Sequence, residues 1–529
     1  MFGMFRLVIT LIFALLVSTN ALAKSWNQNK FESGKSEPQG ITVQLPDRYL
    51  EIYHLRTDKR RTGSNTYMVE GSARPRVFQI KSEKHLRLDE AMSQSSSFSF
   101  LFFDNGTVVY DALPPKERFS KKFTNKTYFP SHSMGKAITS YMIGHAICEG
   151  YIASIDSPLN FSLMKETLYF GQPIVNLLNM ASGDSHIIGR SGFKSTGRQY
   201  HGRFPIYSAA KKELKGTQPL RPVGENRFYY SNYTSDILYA FMMYKVGASN
   251  WDSFVRNFFQ NHIRIENPIT WKFNPTTSNF NVTLQQQIDE GVGRYGLYAT
   301  RYDFLRIAKS ILDDWKGETC EGKYLKELHS RRVRTGKNVQ FTNQSWQKGD
   351  KPTIWNNSDE YAGQFYTSLS GLKDRTIMGL DGADGQQIII DMGNSRITVV
   401  SSMQEKYVDG RTLLYEPIKF GRILDNPSMI SNPLTQVSKT KYDRTPVGMT
   451  KRFECLKRYA IENGLAALPS SQEIEKLISN LANNYFYRSH RQIVKAGISK
   501  ESLDANKKAL VRLVNFEGAN EEYCAKPVL

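Results

Sequence analysis

The chain has 529 residues, 40% hydrophobic and 23% charged, which suits a globular protein with a sizeable core and excludes a low-complexity one. Lys and Arg number 70 against 50 Asp and Glu, a formal charge of +20, a balance that favours anionic surfaces such as cell-envelope polymers or lipid headgroups. Nucleic acid is disfavoured, since the sequence has no zinc-ligand spacing, basic heptad or aromatic RNP-like motif.

At the N-terminus, Arg6 precedes an apolar run from Leu7 to Val17, and Ala21-Leu22-Ala23 fits the small-x-small cleavage rule. Residues 1–23 therefore read as a signal peptide, the mature chain starting at Lys24 in the periplasm or outside the cell, with an uncleaved anchor as the alternative. No Cys follows the run, which disfavours a lipoprotein, and no later stretch reaches the roughly 18 apolar residues of a span. Residues 24–95 are polar and mixed and read as an irregular leader. The main globular domain is expected over 96–435.

Phe98 to Asp104 and Thr107 to Asp111 flank Asn105-Gly106, a strong hairpin signal. A second hairpin is expected from Gln387–Met392 and Arg396–Ser401 around Gly393-Asn394. Hairpins enclosing a helical middle imply an α/β fold with an antiparallel sheet flanked by helices and an adjoining helical lobe. From about residue 440 the pattern turns helical. Lys451 to Asn463 stops at Gly464, and Ser470 with Glu473 fits a capping box, so 436–529 reads as a helical C-terminal extension. Cys148, Cys320, Cys455 and Cys524 allow three pairings in an oxidising compartment. A bond between Cys455 and Cys524 would close the extension on itself; Cys148 and Cys320 could also take partners there.

Ser133-Met134-Gly135-Lys136 puts a hydroxyl and an amine three residues apart, on one face of a helix. A Ser needs a neighbouring base to become a nucleophile, and a Lys serves once burial or nearby positive charge favours its neutral amine. At least four other S-x-x-K copies occur, so context decides. Here Pro130 and Ser131 supply a helix start, Met134, Ala137, Ile138, Tyr141 and Met142 an apolar stripe, and Gly150 a stop. Further on, Tyr230-Ser231-Asn232 offers a phenol able to relay protons and an amide able to hold the Lys or a substrate carbonyl. His132 adjoins Ser133, but adjacent helical residues point about 100° apart, so a triad with Asp156 or Asp184 is not expected.

In order, these pieces resemble the β-lactamase-like serine hydrolases, in particular class C β-lactamases and their esterase and aminohexanoate-dimer hydrolase relatives. Similar segments are Phe129–Lys136 through Glu149-Gly150-Tyr151-Ile152 and Asp156-Ser157-Pro158, Asn176–Asp184, Tyr230-Ser231-Asn232, and Gly296–Thr300 with Asp303. The resemblance covers roughly residues 95–425 and implies a β-lactamase/transpeptidase-like fold. It also implies acyl-enzyme chemistry on Ser133, with Lys136 and Tyr230 moving protons and no metal or organic cofactor. The third box departs: relatives carry Lys-Thr-Gly or His-x-Gly, whereas this chain reads Gly382-Ala383-Asp384-Gly385-Gln386. Asn232, Asp384, Gly385 and Gln386 are the expected substrate contacts, the Gln386 amide joining that of Ser133 in an oxyanion hole. Without the cation, an ester or linear amide is the expected substrate. A β-lactamase or peptidoglycan D,D-peptidase is the rival enzyme, and an envelope-binding scaffold without catalysis the rival outside enzymes.

Overall fold

The computed structural model describes residues 45–61, 66–184, 210, 214–224, 227–272, 296–335, 354–369, 371–404 and 410–425. The expected signal peptide, the 436–529 extension, Cys455 and Cys524 lie outside the described residues. Among the described residues, no helix is long and apolar enough to cross a membrane.

Nine strands form the main sheet: β2 (Gln79–Ile80), β3 (Ser97–Asp104), β4 (Thr107–Ala112), β8 (Val333–Arg334), β9 (Ser358–Ala362), β10 (Phe365–Leu369), β11 (Ile377–Gly382), β12 (Gln386–Asp391) and β13 (Arg396–Ser402). Their spatial order is β2-β4-β3-β13-β12-β11-β10-β9-β8. All neighbours are antiparallel except β2 and β4. Both expected hairpins are present, and they meet: β3 pairs directly with β13. Two hairpins remote in sequence thus become neighbours inside the sheet.

The strands read as near-continuous apolar runs because both sheet faces are covered. Side chains alternate along a strand, and Leu101, Phe103, Ile388, Ile390, Ile397 and Val399 join one core cluster. Phe100, Phe102, Ile389 and Val400 join another. Helix α7 (Arg301–Gly317) packs on β13 and β12 on the first side. Leu413, Leu414 and Ile418 of α10 (Gly410–Phe420) and Leu88 of α2 (Leu86–Gln94) belong to the second cluster.

A smaller antiparallel sheet, β1-β6-β7-β5, pairs β1 (Thr66–Val69), β6 (Ile269–Lys272), β7 (Leu297–Thr300) and β5 (Tyr128–Pro130). The leader is less irregular than its composition implies. Within it, α1 (Asp47–Arg61) buries Tyr49, Leu50 and Tyr53 in the first cluster. Its charges are tied down: Arg118 Nη2 and Nε reach Asp47 at 2.7 and 2.9 Å, and the Arg61 guanidinium lies 3.8 Å from the Tyr128 ring centroid. Thus α1 hides behind charged residues that pair tertiary partners rather than solvent.

Helix α3 (Met134–Cys148) is buried from Met134 to Ala146. That exceeds the one-sided stripe read from sequence and makes it a central helix. The helical lobe beside it includes α4 (Ile174–Leu178), α5 (Asn232–Val246) and α6 (Ala248–Arg256), which runs into a π-helical turn, Asn257–Ile263. A disulfide joins Cys148, at the end of α3, to Cys320, at the start of α8 (Cys320–Ser330).

Candidate active site

Strand β5 delivers the chain to Ser131, whose amide donates to the Leu297 carbonyl of β7 at 2.7 Å. His132 then turns through a left-handed conformation, φ 44°, which is costly for a residue with a Cβ and is found at over-determined sites. This sharp turn presents Ser133 at the N-cap of α3. The Ser133 hydroxyl makes no capping hydrogen bond, although serine is a preferred cap. It meets Lys136 instead: Nζ and Oγ stand 2.8 Å apart. Lys136 is 1% exposed, while Ser133 is half-buried and reachable.

The amine has a second neighbour. Lys136 Nζ lies 4.7 Å from the centroid of the Tyr230 ring, a cation–π distance. The structure therefore brings Ser133, Lys136 and Tyr230 together. Tyr230 is held in an aromatic setting that sequence reading did not foresee. Trp355, on the short helix α9 (Ile354–Asn357), meets it edge-on at 4.7 Å. The Tyr366 phenol hydrogen-bonds to Tyr230, and burial holds Tyr366 well above the usual tyrosine range.

Two of the recognised segments build the platform for Tyr230. After α4, Asn179 donates to the Arg331 carbonyl at 2.8 Å and accepts from the Gly363 amide at 2.7 Å. The next carbonyl, of Met180, accepts from the Tyr229 amide at 2.7 Å. Asp184 is fully buried and accepts from the Tyr169 hydroxyl at 2.8 Å. Burial pushes its carboxyl up to about 6, opposed by hydrogen bonds from Tyr169 and Ser231. Asn232 opens α5 one residue after its N-cap Ser231 and is half-buried. The Gly296–Asp303 segment is architectural: the Thr300 hydroxyl caps α7, and Asp303 accepts the amides of Glu266 and Asn267 at 2.8 and 3.2 Å.

The third box forms the turn between β11 and β12. Asp384 has φ 65°, lies 3% exposed, and accepts from the Tyr53 hydroxyl of α1 at 3.2 Å. His132 Nε2 stands 3.5 Å from the same carboxylate. The acid expected to line the substrate site thus has its charge directed inward, toward an imidazole and a phenol from two other elements. Gly385, with φ 85°, completes the turn. Gln386 is also turned inward, its side-chain amide donating to the Ser402 carbonyl. Only its main chain is left for a substrate role. Gly382 approaches the turn before Ser133 so closely that a Cβ there would stand 2.4 Å from the Ser131 carbonyl oxygen.

Neither carboxylate weighed as a triad partner faces His132. Asp156 pairs Arg331 at 2.7 and 2.8 Å, and Asp184 pairs Tyr169. Tyr53, Trp355 and Tyr366 had no sequence signal, since each reaches the site only through tertiary packing.

No family model matches the chain, and no curated protein matches it. Solved structures do. A Bacillus anthracis protein described as a 6-aminohexanoate-dimer hydrolase is similar at 15% identity and a TM-score of 0.47, over 73% of this chain and 97% of that one. A penicillin binding protein from Bacillus halodurans is similar at 16% identity and a TM-score of 0.41, over 64% and 99%. A D-stereospecific amidohydrolase from Streptomyces sp. is similar at 13% identity and a TM-score of 0.41, over 64% and 100%. At these identities and TM-scores the likenesses carry no argument about chemistry.

Proposed function

We propose that the chain is an exported serine hydrolase that cleaves an ester or linear amide through an acyl-enzyme on Ser133. The observation that carries this reading is the 2.8 Å approach of the buried Lys136 amine to an accessible serine hydroxyl that caps nothing. In its neutral form the amine takes the Ser133 proton as Oγ attacks the substrate carbonyl. The tetrahedral oxyanion rests on backbone amides at the start of α3 and at the β11–β12 turn. Its collapse expels the alcohol or amine, which takes a proton relayed through Lys136 and Tyr230. Water then adds to the acyl carbonyl, the same groups accepting its proton, and releases the acid and free Ser133.

The third box supplies no lysine or arginine, and its acid is directed at His132 and Tyr53. A substrate carboxylate buried there without a cation is costly. Neutral or amine-bearing esters and amides should therefore exceed penicillins in kcat/KM, with cleavage in the periplasm or outside the cell. Fluorophosphonate labelling of the purified mature chain tests the reading. One adduct on Ser133, absent from Ser133→Ala, is expected; an unlabelled native chain would leave the envelope-binding scaffold. Hydrolysis of nitrocefin faster than of any ester or linear amide would favour the β-lactamase reading instead.

A further inference from the structure

We propose a zinc-class cation site at the far end of the nucleophile helix, formed by His145, His262 and Glu321. One ring nitrogen from each histidine and one Glu321 carboxylate oxygen all lie within 4.8 Å of one another. Two imidazoles and a carboxylate make a donor set that zinc favours. The three residues are remote in sequence, so no ligand spacing signals them. The site does not depend on the hydrolase reading. His145 lies twelve residues along the chain from Ser133, roughly 18 Å at the helical rise.

Three elements converge there. His145 comes from the last turn of α3, Glu321 from the first turn of α8, and His262 from the π-helical turn. Such π turns are rare and concentrate at functional sites. The two imidazole centroids are 5.3 Å apart. His145 is 3% exposed and Glu321 8%, so these polar groups are withdrawn from water together, among the rings of Phe254 and Phe258. The adjacent Cys148–Cys320 disulfide fixes the α3 and α8 termini against each other.

The surroundings also fit. Zinc-bound histidines commonly direct their second ring nitrogen at a carboxylate. His262 Nε2 stands 2.9 Å from the Asp314 carboxylate and 2.8 Å from the Tyr141 hydroxyl. His145 Nδ1 stands 2.8 Å from Glu321. On the other side of the His145 ring, Nε2 is 3.4 Å from the Asn257 amide and 3.9 Å from Glu149. Glu149 is exposed. Zinc–ligand bonds of 2.0–2.2 Å put tetrahedral neighbours roughly 3.3 Å apart. Side-chain rotation covers the difference from 4.8 Å. A cation would then fasten the same junction as the disulfide.

The test uses the full mature chain, stripped with EDTA, dialysed and titrated with Zn²⁺ and Co²⁺. One equivalent of tightly retained metal is expected, with visible Co²⁺ absorption of a four- or five-coordinate site. His262→Gln and Glu321→Gln should each weaken binding at least about tenfold. In the native chain, zinc should also protect His145 and His262 from carbethoxylation, read by peptide mass spectrometry, which keeps the test decisive if a variant fails to fold. Substoichiometric metal, equal affinity in folded variants, or histidines modified equally with and without zinc would each overturn the site.

Discussion

Gly382 and Ser131 stand closer than any side chain at position 382 allows, since a Cβ would sit 2.4 Å from the Ser131 carbonyl oxygen and 3.1 Å from the His132 Cβ. The end of β11 is therefore pressed against the turn that presents Ser133, the proposed nucleophile. Gly382→Ala must displace backbone, because the obstacle is a carbonyl rather than a flexible side-chain tip. A loss of about 1–3 kcal/mol is expected from overpacking, with a fall in kcat/KM of at least about tenfold. Urea unfolding and ester hydrolysis measure the two. A fully active Gly382→Ala would show that the nucleophile turn tolerates displacement.

The proposed sharing of proton transfer by Lys136 and Tyr230 has a kinetic signature. Lys136→Ala and Tyr230→Phe should each lower kcat by about 10²–10⁴, the usual range for loss of a general base. The double variant should fall short of the product of the two, because groups that act as a unit are non-additive. Tyr230→Phe keeps the ring beside Lys136 and removes only the hydroxyl. An inactive Lys136→Ala beside a fully active Tyr230→Phe would assign Tyr230 to positioning the amine by its ring.

The hairpins around Asn105-Gly106 and Gly393-Asn394 were legible because turn chemistry and apolar runs are local. Their pairing through β3 and β13 was not, since register between remote strands is set by tertiary packing. The same split holds at the site. Ser133 and Lys136 sit one helical turn apart, so their spacing, together with the local helix-start signals at Pro130 and Ser131, finds them. Trp355 and Tyr53 reach the site from elements 222 residues downstream and 80 upstream, a juxtaposition no local pattern encodes. Helix α1 was missed because Asp47, Glu51 and Arg61 make it look solvated, whereas Arg118, Ser120 and the Tyr128 ring engage them.

Arg301 is fully buried and ties two strands, β3 and β4, and the loop of Asn125 together. It reaches Ser99 Oγ at 2.8 Å, the Phe100 and Ala112 carbonyls at 2.6 and 3.1 Å and Asn125 at 3.1 Å, and it pairs with Asp111. Breaking such a pair from one side costs more than the pair contributes, because the remaining polar groups stay buried. Arg301→Ala should lose about 3–5 kcal/mol, read by urea unfolding. Arg301→Lys should recover only part, since an ammonium cannot reproduce the planar fork. A loss below about 1 kcal/mol, the scale of an exposed pair, would contradict a keystone role.

Asp184 is a buried acid whose pKa is raised to about 6, chiefly by burial. The folded state therefore favours its neutral form. Its contribution to stability is full below the unfolded value near 3.8 and is lost as pH rises through about 6. Asp184→Asn keeps the size and an acceptor for Tyr169 without the charge. It should gain stability over the native chain at pH 7.5, on the order of 3 kcal/mol, and most of the gain should vanish near pH 4. Equal unfolding midpoints at both pH values would remove the basis for this assignment.

His54 carries the opposite dependence. It is fully buried beside Phe98, Phe123 and Phe129, with ring centroids 5.6, 4.9 and 5.4 Å away. Neither ring nitrogen has a hydrogen-bond partner among the described residues. Burial, assisted by the Lys121 charge and opposed by Asp58, lowers its pKa from 6.5 to about 3. The folded protein holds the imidazole neutral while the unfolded chain takes a proton near 6.5. Above that pH the group contributes no slope. Below it, stability falls as pH drops toward 3, by about 1.4 kcal/mol per pH unit for one proton. His54→Leu removes both the unpaired nitrogens and the titration. Its stability relative to the native chain should be nearly constant from pH 9 to 7 and then grow steadily from pH 6 to 4. Parallel unfolding curves for the two proteins across that range would mean that His54 is charged in the fold, with a partner still to be found.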